Sequence, residues 1–143
     1  MEQRALVADT PRRYYTPWQI AVATILGGSL AGGFLALRNH ILFGAPTQAA
    51  IVGVLSGVVA IGAIVAGVMM PPHVSRMACA FPIVIAYRWY AESAFGGQIS
   101  NRKGEGWAQY SWWRVVGISV AFLAGVVLFG IVGILIFGSD SLS

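Results

Sequence analysis

Three stretches of the chain, residues 18–37, 49–70 and 115–137, contain no Asp, Glu, Lys, Arg or His, and each holds 20 residues or more. A helix rises ~1.5 Å per residue, so each stretch is long enough for the ~30 Å hydrocarbon core of a bilayer. The composition points to the same solvent: 10% of the residues are charged and 57% hydrophobic, whereas a soluble domain carries about 25% charged residues. The expectation is an all-α membrane protein with three transmembrane helices in a single integral membrane domain, residues 1–143.

Arg4, Arg12 and Arg13 precede the first stretch, as basic residues precede a signal peptide. Its apolar run exceeds the usual ~7–15 residues, however, and no small-x-small site follows before Arg38, so a retained span is expected. Thr16-Pro17-Trp18-Gln19 reads as its N-terminus. Thr16 is the cap, Pro17 sits where a missing N–H costs nothing, and Gln19 reaches back as the capping-box partner. The second stretch stops at Pro71-Pro72.

Residues 73–92 are harder to place. Eleven residues separate Arg76 from Arg88, about 16 Å as a helix, and Pro82 removes a backbone hydrogen bond among them. The basic residues decide between two arrangements. With three spans, Arg4, Arg12, Arg13, Arg76, Arg88, Arg102, Lys103 and Arg114 share one side and Arg38 alone lies on the other. This is a strong positive-inside bias. It predicts a cytoplasmic N-terminus and a short re-entrant or interfacial cytoplasmic helix at about 74–91; the alternative is four spans. Residues 95–106 read as a polar, glycine-rich loop, and Trp107, Tyr110, Trp112 and Trp113 beside Arg114 read as an interfacial aromatic belt.

Small residues four apart let helix backbones approach inside lipid, where apolar side chains alone give little reason to associate. Thr24, Gly28 and Gly32 make such a ridge in the first stretch, with Ala23, Gly27 and Ala31 beside it. Gly53 and Gly57 continue the pattern in the second, and Gly117, Ala121 and Gly125 in the third. These are the expected helix-packing positions.

Chemistry-bearing residues are sparse. The three stretches hold no ionisable side chain, and their hydroxyls, Thr24, Ser29, Ser56 and Ser119, are of the kind that ordinarily bonds its own or a neighbouring helix backbone. His40 and His73 are the only imidazoles and fall on opposite sides in the three-span arrangement, which argues against a shared metal. Cys79 is the only cysteine, so no internal disulfide or thiolate cluster is expected. The glycines and lysine of 96–106 lack the GxxxxGK[ST] order of a phosphate cradle. No catalytic set, cofactor or metal site is expected, and the scattered basic residues read as topology signals rather than nucleic-acid contacts. In the stretch 87–92, Arg88, Trp89 and Glu92 bring charge and aromatic surface together, with Arg88 and Glu92 one turn apart. With Arg76, Trp112, Trp113 and Arg114 they are the expected interface or partner residues, serving as a lipid anchor or as a docking surface.

Tyr15-Thr16-Pro17-Trp18-Gln19-Ile20, Ala23-Thr24, Gly27 to Gly32 and Asn39, followed much later by residues 111–118, "SWWRVVGI", resemble a group of small uncharacterised bacterial inner-membrane proteins. The resemblance implies a bacterial inner-membrane location and brings no activity, cofactor or site residue with it. The group carries proline where this chain has Ser29, and without that proline no kink is expected there. The functional expectation is a non-enzymatic membrane protein acting by helix contact on a membrane protein partner, as an accessory subunit or an immunity-type protein. The alternative is a homo-oligomeric pore or transporter component.

Overall fold

The computed structural model of the protein describes residues 12–71 and 77–137. In chain order these form β1 (Arg13–Tyr14), α1 (Pro17–Leu42), α2 (Pro46–Met69), α3 (Met77–Gly104), β2 (Ala108–Gln109) and α4 (Trp112–Phe137). The fold among the described residues is helical, and α1, α2 and α4 are long and apolar enough to cross a membrane by length and composition. The two strands are a short parallel staple, Arg13 beside Ala108 and Tyr14 beside Gln109.

α1 begins as its sequence dictates. Gln19 N–H donates to Thr16 Oγ1 at 3.2 Å, Thr16 N–H donates to Gln19 Oε1 at 3.0 Å, and Pro17 occupies the first turn. The spare Gln19 amide N–H donates to Tyr110 C=O at 2.7 Å, which ties this start to the chain entering α4.

α1 is not straight. Gly28 has φ 74° and ψ −174°, a region essentially restricted to glycine, and the arms on either side of it fold back on each other. Tyr15 N–H donates to Asn39 Oδ1 at 2.9 Å, and Asn39 Nδ2 donates to Tyr15 C=O at 2.7 Å. A straight helix would hold these residues about 36 Å apart. A Cβ on Gly32 would meet Thr24 Cβ at 3.1 Å and Ile20 C=O at 3.4 Å, contacts that likewise exist only between antiparallel arms. Residues 18–37, expected as one crossing, are therefore part of a helical hairpin with arms of about 16 and 21 Å. Hydropathy marks this segment as apolar and says nothing of its path. The kink needs no proline at position 29: Gly28 supplies the reversal, and Ser29 opens the second arm with its Oγ 3.5 Å from Ser56 C=O. The second arm ends in a Schellman arrangement, Gly44 N–H on Ile41 C=O (3.1 Å) and Ala45 N–H on His40 C=O (2.8 Å), with Gly44 at φ 79°.

The hairpin is the centre of the molecule, because α2, α3 and α4 each pack chiefly against α1. In the apolar window of α1 61% of residues are buried, against 11% for those of α2 and α4. Gly33, outside both expected ridges, and Gly27, on the expected Ala23–Gly27–Ala31 ridge, carry the closest approaches of α1 to other helices. A Cβ on Gly33 would run into Ser56 Oγ and Cβ of α2, and one on Gly27 would stand 2.7 Å from Ser119 C=O of α4. Ser56 and Ser119 turn their hydroxyls back onto Val52 and Val115 C=O, at 2.7 and 2.8 Å. Both helix surfaces stay smooth where the hairpin touches them.

α3 differs from the expected short helix at 74–91 followed by a loop at 95–106. It runs unbroken from Met77 through Pro82 to Gly104. Ala91 and Phe95 are fully buried, and the Phe95 ring packs 4.7 Å from the His40 ring and 5.7 Å from that of Phe43. Glycine costs a helix about 1 kcal/mol relative to alanine; Gly96 and Gly97 lie on the outer face, and packing of the inner face prevails. Tyr87 Oη donates to Ser56 Oγ at 2.7 Å, and Tyr90 Oη pairs with His40 Nε2 at 2.6 Å. Tyr87 thus stands halfway along α2 while Phe95 stands beside its start. The few residues between Met70 and Met77 reach no more than about 25 Å, so α3 returns antiparallel to α2.

Candidate functional site

Every described basic residue belongs to one end of the molecule, where β1, the hairpin mouth, α3 from Arg88 to its C-terminus and the start of α4 converge. Arg12 flanks β1, and its guanidinium carbon lies 5.6 Å from the Trp107 ring centroid. From α3, Arg102 approaches the same ring at 4.9 Å, while Phe43 stacks on it at 6.1 Å and 26°. Arg88 lies 4.8 Å from the Trp18 ring at the start of α1. Arg114 lies 4.6 Å from the Tyr110 ring, which in turn stacks on Tyr15 at 4.3 Å and 27°. Arg38 adjoins the Asn39–Tyr15 pair and so stands at this same end. It was expected on the opposite side from the other basic residues, and the folding-back of α1 is what returns it.

The only acids among the described residues, Glu92 and Glu105, accept from Arg88 Nε at 3.1 Å and Arg102 Nη1 at 2.8 Å. Seven basic residues against two acids leave this end strongly positive. Both ion pairs are exposed, so each adds little stability, about 0–1 kcal/mol; each holds a guanidinium in place over its aromatic ring. Guanidinium–ring contacts at exposed sites contribute about 0.5–1 kcal/mol each. Trp89 and Trp113 project outward, 72% and 84% exposed, and Trp112 is 43% exposed. Burial pushes the Tyr15 hydroxyl above its ordinary pKa, with Arg114 pulling the other way. The phenol remains a neutral hydrogen-bonding group at physiological pH.

Of the expected interface residues, the structure brings Arg88, Trp89, Glu92, Trp112, Trp113 and Arg114 to this end, while Arg76 lies outside the described residues. Of the expected packing residues, Thr24 and Gly32 meet across the hairpin, and a Cβ on Gly53 would touch Leu37 Cδ1 at 2.9 Å. Gly28 makes the reversal, with nothing within 4 Å of where its Cβ would be. It is not a close-approach position, contrary to expectation. Gly57, Gly117 and Gly125 face open space as well; Gly57, Ala121 and Gly125 line a groove between α2 and α4. Sequence reasoning missed Tyr15, Asn39 and Phe95, and placed Tyr90 only within the interfacial stretch 87–92, not against His40. Asn39, a carboxamide next to a twenty-residue apolar run, was the one available signal, since a buried amide needs partners.

Among the described residues, no three His, Cys, Asp or Glu side chains lie close enough to share an ion, and every buried side-chain nitrogen or oxygen has a hydrogen-bond partner. The polar groups inside the bundle are thus engaged in holding it together, and the basic end is where charge and aromatic surface face outward. No family model, curated protein or solved structure matches the chain.

Proposed function

We propose that this is a non-enzymatic, multi-pass protein of the bacterial inner membrane that works by contact with another membrane protein, as an accessory subunit or an immunity-type partner. Its N-terminus is cytoplasmic in this reading. α1 enters and leaves from the cytoplasmic side as a re-entrant hairpin, and α2, α3 and α4 cross. Two features support the arrangement. Each arm of α1 is too short for the ~30 Å core, and all seven described basic residues gather at one end, the end that the positive-inside bias assigns to the cytoplasm.

The observation that carries the contact reading is the basic end itself, with four exposed tryptophans, Trp18, Trp89, Trp112 and Trp113, and four guanidinium–ring pairs, while every buried side-chain polar group among the described residues is engaged. Lipid anchoring needs the positive charge, whereas a docking surface also uses the planar guanidinium. Arg88→Lys separates these uses. Tagged protein and this variant are solubilised from the native host and resolved by size under native conditions. The parent is expected to run with a second polypeptide in fixed ratio, and the variant to insert normally but recover several-fold less of it. A parent that runs strictly alone overturns the contact reading. Equal recovery by the variant removes Arg88 from the docking surface.

A second reading, a homo-oligomeric pore or transporter component, is favoured by the break at Gly28, since helices interrupted at membrane depth often border a transport path. Purified protein that leaves liposomes impermeable to ions and small solutes would eliminate it.

A further inference from the structure

Of the basic residues gathered at one end, Arg88 and Arg102 have carboxylate partners, Glu92 and Glu105. Arg38 and Arg114 have none among the described residues. We propose that these two arginines form a headgroup site for one anionic phospholipid of the leaflet at the basic end, their guanidinium groups binding its phosphodiester. The inference rests on the membrane location proposed above and is independent of the partner proposed there.

Three observations define the site. First, the two arginines come from separate elements and border one residue, Tyr15. Asn39, next to Arg38 in the chain, bonds the Tyr15 backbone through both ends of its carboxamide, at 2.9 and 2.7 Å. Arg114 lies 4.6 Å from the Tyr110 ring, and that ring stacks on Tyr15 at 4.3 Å. Both guanidinium groups act on the Tyr15 hydroxyl, lowering its pKa against the rise that burial causes. The platform between them is fixed. Tyr15, Asn39 and Gln19 are buried, and Gln19 holds the Tyr110 carbonyl at 2.7 Å. Arg38 and Arg114 themselves are exposed, so an anion can reach both, and sharing it offsets the repulsion between two like charges.

Second, the start of α4 suits an anion better than a cation. Arg114 stands in its first turn, which holds no acidic residue, so a guanidinium lies at the positive end of the helix dipole. A phosphate at this position is attracted by the dipole and by the arginine together.

Third, the site lies at headgroup level. Trp112 and Trp113, adjacent to Arg114, are exposed in the manner of an interfacial belt, and the apolar span of α4 begins at Trp112. At that level the abundant anion is the phospholipid phosphodiester, whose oxygens a guanidinium engages through two N–H groups at once.

Full-length protein purified in a neutral detergent tests the site, with binding of phosphatidylglycerol, or of phosphatidylcholine with the same acyl chains, read by native mass spectrometry. Phosphatidylglycerol is expected to bind at least about tenfold more tightly, since each basic residue at an anionic surface contributes about fivefold. Arg38→Gln combined with Arg114→Gln is expected to abolish that preference. Lys103→Gln removes one exposed charge from the end of α3 and should leave the preference within about twofold, because salt screens exposed charges over a distance of ~8 Å. Arg38→Lys combined with Arg114→Lys keeps the charge but not the planar fork, and should lose several-fold. Equal binding of the two lipids by the parent protein overturns the proposal. So does an equal loss from Lys103→Gln and Arg38→Gln, which would make the attraction diffuse, and so does displacement of the lipid by millimolar inorganic phosphate, which would make this a site for a soluble anion. Should the double variant fail to fold, Arg38→Gln alone decides, since the Arg38 side chain makes no hydrogen bond or ion pair among the described residues. The purified chain is measured alone, so loss of the partner proposal leaves the result intact. Protein that stays in solution without detergent would refute the membrane location, and this site with it, before any lipid is added.

Discussion

At the scale of single residues, glycines that look alike in the sequence do unlike work. Gly28 is required for its backbone, with φ 74° and no atom near its Cβ position, whereas Gly33 is required for room, its Cβ position overlapping Ser56 of α2. The two causes respond differently to repair. Gly28→Ala is expected to destabilise the protein by about 1–3 kcal/mol through backbone strain, and no substitution on another helix should recover it. Gly33→Ala is expected to be destabilising as well, but a Ser56→Gly change removes the clashing Cβ and Oγ and should restore much of the loss. Thermal unfolding in detergent for the two single variants and the rescue pair checks both; rescue of Gly28→Ala by Ser56→Gly would show the reversal to be a packing effect instead. The spacing of small residues marked where α1 is thin, and Thr24 and Gly32 do meet. It carries no information about φ, so by spacing Gly28 looks like a third member of a ridge, whereas it is the point at which that ridge doubles back.

At the scale of elements, helix content was legible and helix path was not. The caps of α1, the stop at Pro71 and the apolar windows of α2 and α4 are local properties, written within a few residues of where they act. The hairpin is closed by Asn39 reaching the backbone of Tyr15, 24 positions away, and no local pattern announces a partner that is a main-chain amide. The length of α3 is not legible for a related reason: its continuation past Glu92 rests on Phe95 packing against His40 and Phe43, which come together only once α1 has folded back. The hairpin makes a direct distance prediction. Trp18 and Ile41 are both exposed, 54% and 51%, and suit spin labels introduced through cysteine in a Cys79→Ser background. A straight α1 would hold the two positions about 35 Å apart; the folded arms should give well under half of that in a pulsed dipolar measurement. A distribution centred near the straight-helix value would refute the hairpin.

At the scale of the whole molecule, the hairpin bears on which segments cross the bilayer in the proposed arrangement. With straight spans at 18–37, 49–70 and 115–137, eight basic residues gather on one side and Arg38 stands alone. With α1 folded back, Arg38 joins the other six described basic residues at one end. A one-sided distribution of charge therefore fits both a straight and a folded α1, and counting charges does not separate them. The two arrangements differ at the start of α2. A straight α1 carries Gln48 to the side opposite Ser100, whereas the hairpin returns Gln48 to the end where Phe43 stacks on Trp107 and where Ser100, near the end of α3, also lies. Both residues are exposed, so Gln48→Cys and Ser100→Cys in a Cys79→Ser background leave the packing untouched. A membrane-impermeant thiol reagent applied to intact cells should spare both, and should label both after lysis. Labelling of Gln48→Cys with Ser100→Cys still protected would return α1 to a single crossing, and would leave the internal contacts of the hairpin without an explanation in the membrane.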